Sequence, residues 1–191
     1  MSGVQVTRLS LPAPDRREVL RYAGCRQETP DMTALFEDCV RETAGLFTAQ
    51  VCWLTLTVTP TEDGVRLGEL SIPSRLLAET LDGCGQALVF TATVGHPIDR
   101  LIARYSRLSP ARAVMLQALG TERVEALCDL FCKQQAPLTQ RVSPGYGDIP
   151  LTLQGDIFRL LTPHRYIGVT LQESLLMAPA KSVTAIAGIR K

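Results

Sequence analysis

The residues best suited to chemistry lie in one stretch, RVSPGYGDIP, from Arg141 to Pro150. Arg141 carries a planar guanidinium fork that matches a carboxylate or a phosphate. Five positions on, Tyr146 offers a hydroxyl and a ring face against which a cationic ligand can sit. Between them Pro144 fixes its own φ and turns Ser143 away from helix. Gly145 and Gly147 are free to take positive φ, and without a Cβ they let backbone groups approach a ligand closely. The same residues would also make a plain surface turn, with Arg141 in an ion pair and Tyr146 half buried. Asp148 could assist such a site or simply end the turn, and the role of Gln154 is equally open.

Other chemistries find little footing. The chain has no G-x-x-x-x-G-K-[ST] phosphate loop, no G-x-G-x-x-G, no G-x-S-x-G elbow and no H-E-x-x-H. The two histidines, His96 and His164, stand beside no obvious nucleophile. The six cysteines (Cys25, Cys39, Cys52, Cys84, Cys128 and Cys132) form no C-x-x-C pair. Cys128 and Cys132 share a helix face and could bind a metal together or sense oxidants, but a zinc site wants about four ligands. Buried or idle thiols, and no metal site, are the expectation. Lys and Arg total 20 against 19 Asp and Glu, a net charge of +1. That balance argues against nucleic acid and against a polybasic membrane surface as partners. No apolar run reaches the roughly 18 residues that span a bilayer, and the first residues lack a signal-type core. A cytoplasmic chain is expected.

The hydrophobic pattern sets out the elements that must hold the loop. Asp15 opens and Gly24 closes a short helix, and a second helix follows Pro30. Val51 to Val58 alternates as a strand, and VRLGELSI, residues 65–72, reads as its hairpin partner. Ser74 caps a helix that Gly83 ends. ALVFTATVG, residues 87–95, is a nearly continuous apolar strand that must be covered on both faces. Residues 97–135 are helical, restarted at Ser109-Pro110, with Thr121 a possible cap for a continuation. LQGDIFRLL is a short amphipathic helix, and IGVTLQES and SVTAIAGI are two closing strands. The expectation is a single α+β domain, a mainly antiparallel sheet flanked by helices. Residues 1–48 form an N-terminal helical segment packed on a core of residues 49–191.

The loop and the chain beyond it also resemble a known family. Arg141-Val142-Ser143-Pro144-Gly145-Tyr146 is similar to the R-x-x-x-G-Y signature of the activation domain of cobalamin-dependent methionine synthase. Ile167-Gly168, Leu171-Gln172-Glu173-Ser174, Met177-Ala178-Pro179 and Ser182-Val183-Thr184 follow in the family's order, and VEALCDLF resembles its acidic helix. The match covers about the last 70 residues. Family domains bind S-adenosylmethionine and present its methyl group to cobalamin carried by another domain. After cobalamin oxidises to an inactive state, one-electron reduction, usually from flavodoxin, and methyl transfer restore it.

The resemblance implies a set of site residues. Arg141 would pair with the ligand's carboxylate, and the backbone from Ser143 to Gly145 would bind its adenosine or amino-acid portion. Tyr146 would stack or donate its hydroxyl. Glu125 would meet the ammonium or the ribose, or is a solvated helix carboxylate. Glu173 is read as structural, and Met177 and Pro179 as parts of a core-facing turn. There are departures. The family's later tyrosine-bearing aromatic segment has no counterpart, Gly147-Asp148-Ile149-Pro150 replaces a cysteine-proline stretch, and no acidic residue near the start matches the family's acidic contact. The chain also lacks the cobalamin-binding D-x-H-x-x-G. The implied function is an S-adenosylmethionine-binding accessory protein that supports reductive methylation of cobalamin on a separate methionine synthase or other corrinoid protein, with no complete active site of its own and no catalytic residue. The alternative is a non-catalytic module that docks on a corrinoid methyltransferase without a working S-adenosylmethionine site.

Overall fold

The computed structural model describes residues 3–135 and 137–190. In chain order the elements are β1 (Gln5–Arg8), α1 (Arg16–Tyr22), α2 (Pro30–Glu42), β2 (Gln50–Thr61), β3 (Gly64–Leu67), β4 (Leu70–Ile72), α3 (Arg75–Thr80) and β5 (Gln86–Thr93). The long helices α4 (Pro97–Leu108) and α5 (Pro110–Lys133) come next. They are followed by α6 (Leu153–Leu161), α7 (Pro163–Tyr166), β6 (Thr170–Leu171), β7 (Met177–Ala178) and β8 (Ser182–Ile189).

Six strands make one antiparallel sheet, ordered β4-β3-β2-β5-β8 with β1 added on β2. Strand β2 is long enough to serve two partners on one edge. Its first half pairs with β1, Gln50 opposite Arg8, and its second half pairs with β3, Thr61 opposite Gly64. Its other edge pairs with β5 along eight residues, Gln50–Thr57. A small separate hairpin joins β6 and β7.

Strand β5 is buried on both faces, as its unbroken apolar run requires. Side chains alternate across a strand. Leu88, Phe90 and Ala92 therefore enter a core under α2, α4 and α5, while Ala87 and Val89 enter a second core under α3 and α6. Phe131 of α5 sits at the middle of the first core. Its ring meets Phe90 edge-on at 5.1 Å and Trp53 at 5.9 Å, the tilted geometries aromatic pairs prefer.

Four expectations need correction. VRLGELSI is not one strand but two, β3 and β4, folded back at Gly68, whose φ is +58°. Thr121 caps nothing: α5 runs unbroken through it, and its hydroxyl donates to the Gln117 carbonyl at 2.9 Å. Of IGVTLQES only Thr170–Leu171 is strand. The N-terminal segment also holds more than helices, since β1 joins the sheet.

The segment between β1 and α1 is tied to α5 by a buried ion pair. Arg123 and Glu122 have side chains only 3% and 7% exposed. Arg123 donates from Nε and Nη2 to the two Glu122 oxygens, both at 2.5 Å. Its Nη1 and Nη2 also donate to the carbonyls of Pro12 and Ala13, and the Asp15 N–H donates back to Glu122 at 3.2 Å. Each group thus satisfies the other and pins the strap. Removing one partner from a buried pair strands the other charge, at about 3–5 kcal/mol. Arg123→Met is therefore expected to lose about that much stability in urea unfolding. Pairing it with Glu122→Leu should restore part of the loss, and a double variant as unstable as the single would contradict the account.

Candidate functional site

The chain from Pro137 to Val142 lies along the open edge of β8. Thr139 donates to the Gly188 carbonyl at 2.9 Å, Gly188 donates back to the Thr139 hydroxyl at 2.8 Å, and Val142 and Ile186 exchange backbone bonds at 2.9 and 2.8 Å. The register is uneven. Leu138 faces Ile189 and Val142 faces Ile186, so four steps on one side oppose three on the other. One surplus residue is a bulge, and it switches the faces that follow. Leu138 packs on the first core and Val142 on the second. Arg141, next to Val142, is thereby turned toward α5.

There it meets two carboxylates. Arg141 donates from Nη2 to Glu125 and from Nη1 to Asp129 at 2.9 Å. Glu125 and Asp129 stand one helical turn apart, so they present neighbouring oxygens. The Arg141 side chain is 24% exposed. Burial opposes its charge, but the neighbouring Cys128, Glu125 and Asp129 together outweigh that cost and hold its pKa above the ordinary arginine value.

This cluster opens on a cavity of about 510 Å³. One wall is the strap and α1, with Pro12, Asp15 and Glu18; the other is α5, from Glu122 to Lys133. Carboxylates in the lining outnumber cationic groups, five (Asp15, Glu18, Glu122, Glu125 and Asp129) to three (Arg123, Lys133 and Arg141). Asp15 also caps α1, accepting from the N–H of Arg17 at 2.9 Å and of Glu18 at 3.2 Å. A cavity of this size suits a small molecule. Its charge favours one that carries positive groups along with a carboxylate for the guanidinium.

The structure brings Arg141 and Glu125 together and puts the rest of the loop elsewhere. Ser143, Gly145 and Tyr146 do not line the cavity. The Ser143 carbonyl accepts from the Tyr146 N–H at 3.1 Å, Gly145 donates to the Ile149 carbonyl at 2.9 Å, and Tyr146 is 62% exposed. The corner is built tightly against α3. A Cβ on Gly147, at φ +58°, would stand 2.6 Å from Leu76. Asp148 accepts from the Ser74 hydroxyl at 2.5 Å and from the N–H groups of Arg75 and Leu76 at 2.8 and 3.3 Å. It thus shares the capping of α3 with Ser74, across 74 residues of sequence.

Gln154 is buried and structural. Its amide donates to the Leu175 carbonyl at 2.8 Å and its oxygen accepts from Thr184 at 3.1 Å. Glu173 is exposed in the β6–β7 turn, Met177 is half buried against the second core, and Pro179 is buried. All six cysteines are free, and burial raises the pKa of both Cys128 and Cys132, which works against thiolate chemistry. No group of three or more His, Cys, Asp or Glu side chains among the described residues could hold a metal. No described helix is long and apolar enough to cross a membrane.

Sequence reasoning missed Asp15, Glu18, Asp129 and Lys133 as cavity residues. The helix-opening signal at Asp15 was visible, but nothing local showed that it faces α5.

No family model matches the chain, and no curated protein matches it by sequence. A crystal structure described as the MetH reactivation domain bound to AdoHcy superposes with a TM-score of 0.73 at 16% identity, over 97% of this chain and 78% of that one. The fold is that of a MetH reactivation domain. The expected α+β domain with an antiparallel sheet and flanking helices is therefore the architecture observed.

The Asp148 cap carries a pH signature. Its hydrogen bonds from Ser74, and then from the α3 backbone, hold its pKa below the ordinary 3.8. A depressed carboxylate stabilises the fold at neutral pH and loses that contribution as pH falls through its folded value. Asp148→Asn should therefore flatten the decline of the melting temperature below about pH 4. Parallel acid limbs in the two proteins would contradict the cap.

Proposed function

We propose that this chain binds S-adenosylmethionine in the cavity between the N-terminal strap and α5, and supports reductive methylation of cobalamin held by a separate corrinoid protein. The fold shared with a reactivation domain bound to AdoHcy supports the ligand class. The observation that carries the reading is Arg141, set by the β8-edge bulge against Glu125 and Asp129 at the mouth of an acidic cavity.

The residues fit this ligand. Arg141 takes the carboxylate, and Glu125 and Asp129, released in part from Arg141, meet the ammonium. Asp15 and Glu18 supply the acidic environment that favours a sulfonium. The exposed Tyr146 and the backbone from Ser143 to Gly145, which lie outside the cavity lining and are in part hydrogen-bonded within their own turn, would receive the adenosine end only where it extends beyond the cavity. The ligand supplies an electrophilic methyl group on sulfur. This chain's residues hold and orient it, and the cobalamin comes on the partner. An electron donor of the flavodoxin kind completes the cycle.

A second reading has one observation in its favour. Both terminal nitrogens of Arg141 are already engaged by carboxylates, which compete with any incoming one. On that reading the chain docks on a corrinoid methyltransferase without a working ligand site.

Isothermal titration with S-adenosylmethionine separates the two. The first reading expects saturable binding, weakened by Arg141→Ala at least about tenfold, or about 1.4 kcal/mol. The melting temperature of the variant should change little, since a half-exposed ion pair contributes about 1 kcal/mol or less. No heat from the unsubstituted protein, with or without a corrinoid partner, would overturn the first reading and leave the docking module.

A further inference from the structure

Four arginines, Arg16, Arg17, Arg21 and Arg26, fall within residues 16–26. Arg17 and Arg21 stand one helical turn apart on α1, with Arg16 beside them. The chain then doubles back. Gly24 takes φ +74° and donates its N–H to the Arg21 carbonyl at 3.1 Å, and the Cys25 N–H donates to the Leu20 carbonyl at 3.0 Å. That pair of bonds closes the helix end as a Schellman motif. Arg26 and Glu28 are thereby returned to the helix, where with the three α1 arginines they line an open cavity of about 770 Å³.

The lining carries four guanidinium groups and a single carboxylate. Two of the arginines are held in position. Arg16 pairs with Glu28 and donates to the Thr33 hydroxyl at 2.8 Å, and that hydroxyl donates on to Glu28 at 2.7 Å. Arg21 donates from Nε and Nη2 to Glu18 at 3.0 and 2.6 Å, and its guanidinium lies 4.2 Å over the Tyr22 ring. A guanidinium has more donors than these bonds use. Arg17 and Arg26 are exposed and make no ion pair among the described residues. Glu18 and Glu28 thus offset two of the four positive charges, and two remain. A cleft lined mainly by one sign of charge concentrates its field on whatever enters it.

We propose that this cavity binds the phosphate chain of a small molecule, with Arg17 and Arg26 supplying the free charge and Arg16 and Arg21 the pre-set donors. The planar fork of arginine matches phosphate oxygens two at a time. A di- or triphosphate sets several negative charges on adjacent groups, which is what converging guanidinium groups can meet and what a single carboxylate cannot supply. The arginines line a recess rather than a flat face, which favours a small ligand over an acidic protein surface. Glu18 itself lines the cavity at Arg141, but the two cavities have no lining residue in common. The S-adenosylmethionine reading and this one therefore stand or fall separately.

The test is isothermal titration of the full chain with inorganic tripolyphosphate and, separately, with ATP. Tripolyphosphate should bind saturably, and more weakly as salt rises. R17E/R26E should weaken it at least about tenfold. R100E/R107E makes the same change of charge at exposed α4 positions that have no ion pair, and should leave the affinity within about twofold. Unchanged circular dichroism confirms the fold of both variants. ATP binding tighter than tripolyphosphate assigns the cavity to a nucleotide, and equal or weaker binding assigns it to the phosphate chain alone. The proposal is overturned by tripolyphosphate that fails to saturate, or by equal losses in the two variants. Binding of a hexaglutamate peptide where tripolyphosphate fails would make the arginines a protein-docking face instead.

Discussion

Between Leu138 and Val142 the chain has one residue more than the part of β8 it pairs with, and that surplus decides where Arg141 points. A regular pairing would put Leu138 and Val142 on the same face of the sheet. The bulge lets Leu138 cover the first core and Val142 the second, and it leaves Arg141 facing α5. The acidic turn of α5, the capped start of α1 and the strap between them become a candidate site only because a guanidinium arrives at that spot. The sheet edge is therefore both a structural seam and the source of the site's geometry.

Three anchors hold the walls still. The Glu122–Arg123 pair fixes the strap to α5. Asp148 locks the far side of the corner to α3. Gln154 ties α6 to both β8 and the β6–β7 hairpin. Each joins elements distant in sequence through polar hydrogen bonds; the Glu122–Arg123 pair and Gln154 do so buried, and Asp148 does so at the surface. The cavity that results has an excess of carboxylates over cations, so its potential comes from the arrangement and not from the nearly neutral chain as a whole.

Local signals were easy to read and long-range ones were not. The caps at Asp15 and Ser74, the prolines that open α4 and α5, and the doubly buried β5 all follow from residue type and period. Strand β1 escaped notice because QVTR is mostly exposed and shows no alternation. The split of β3 from β4 turned on Gly68 alone, and Thr121 looked like a cap because hydroxyl residues favour caps. Residue type alone singles out Arg141 as a candidate, and the resemblance to a known family adds Glu125. The separation of Arg141 from Tyr146 was hidden, since a bulge depends on register and register depends on the partner strand. Asp148, read as part of a ligand loop or a turn, is a helix cap for residues more than 70 positions away.

The central claim is that Arg141, held by the β8 edge, grips a ligand's carboxylate beside the acids of α5. Nitrogen-15 NMR of the arginine side chains during titration with S-adenosylmethionine addresses it directly. The account predicts that the Arg141 Nε–H resonance shifts first and furthest, together with the backbone amides of Glu125, Asp129 and Ser143. A bound ligand that leaves Arg141 unmoved and perturbs resonances elsewhere would contradict it.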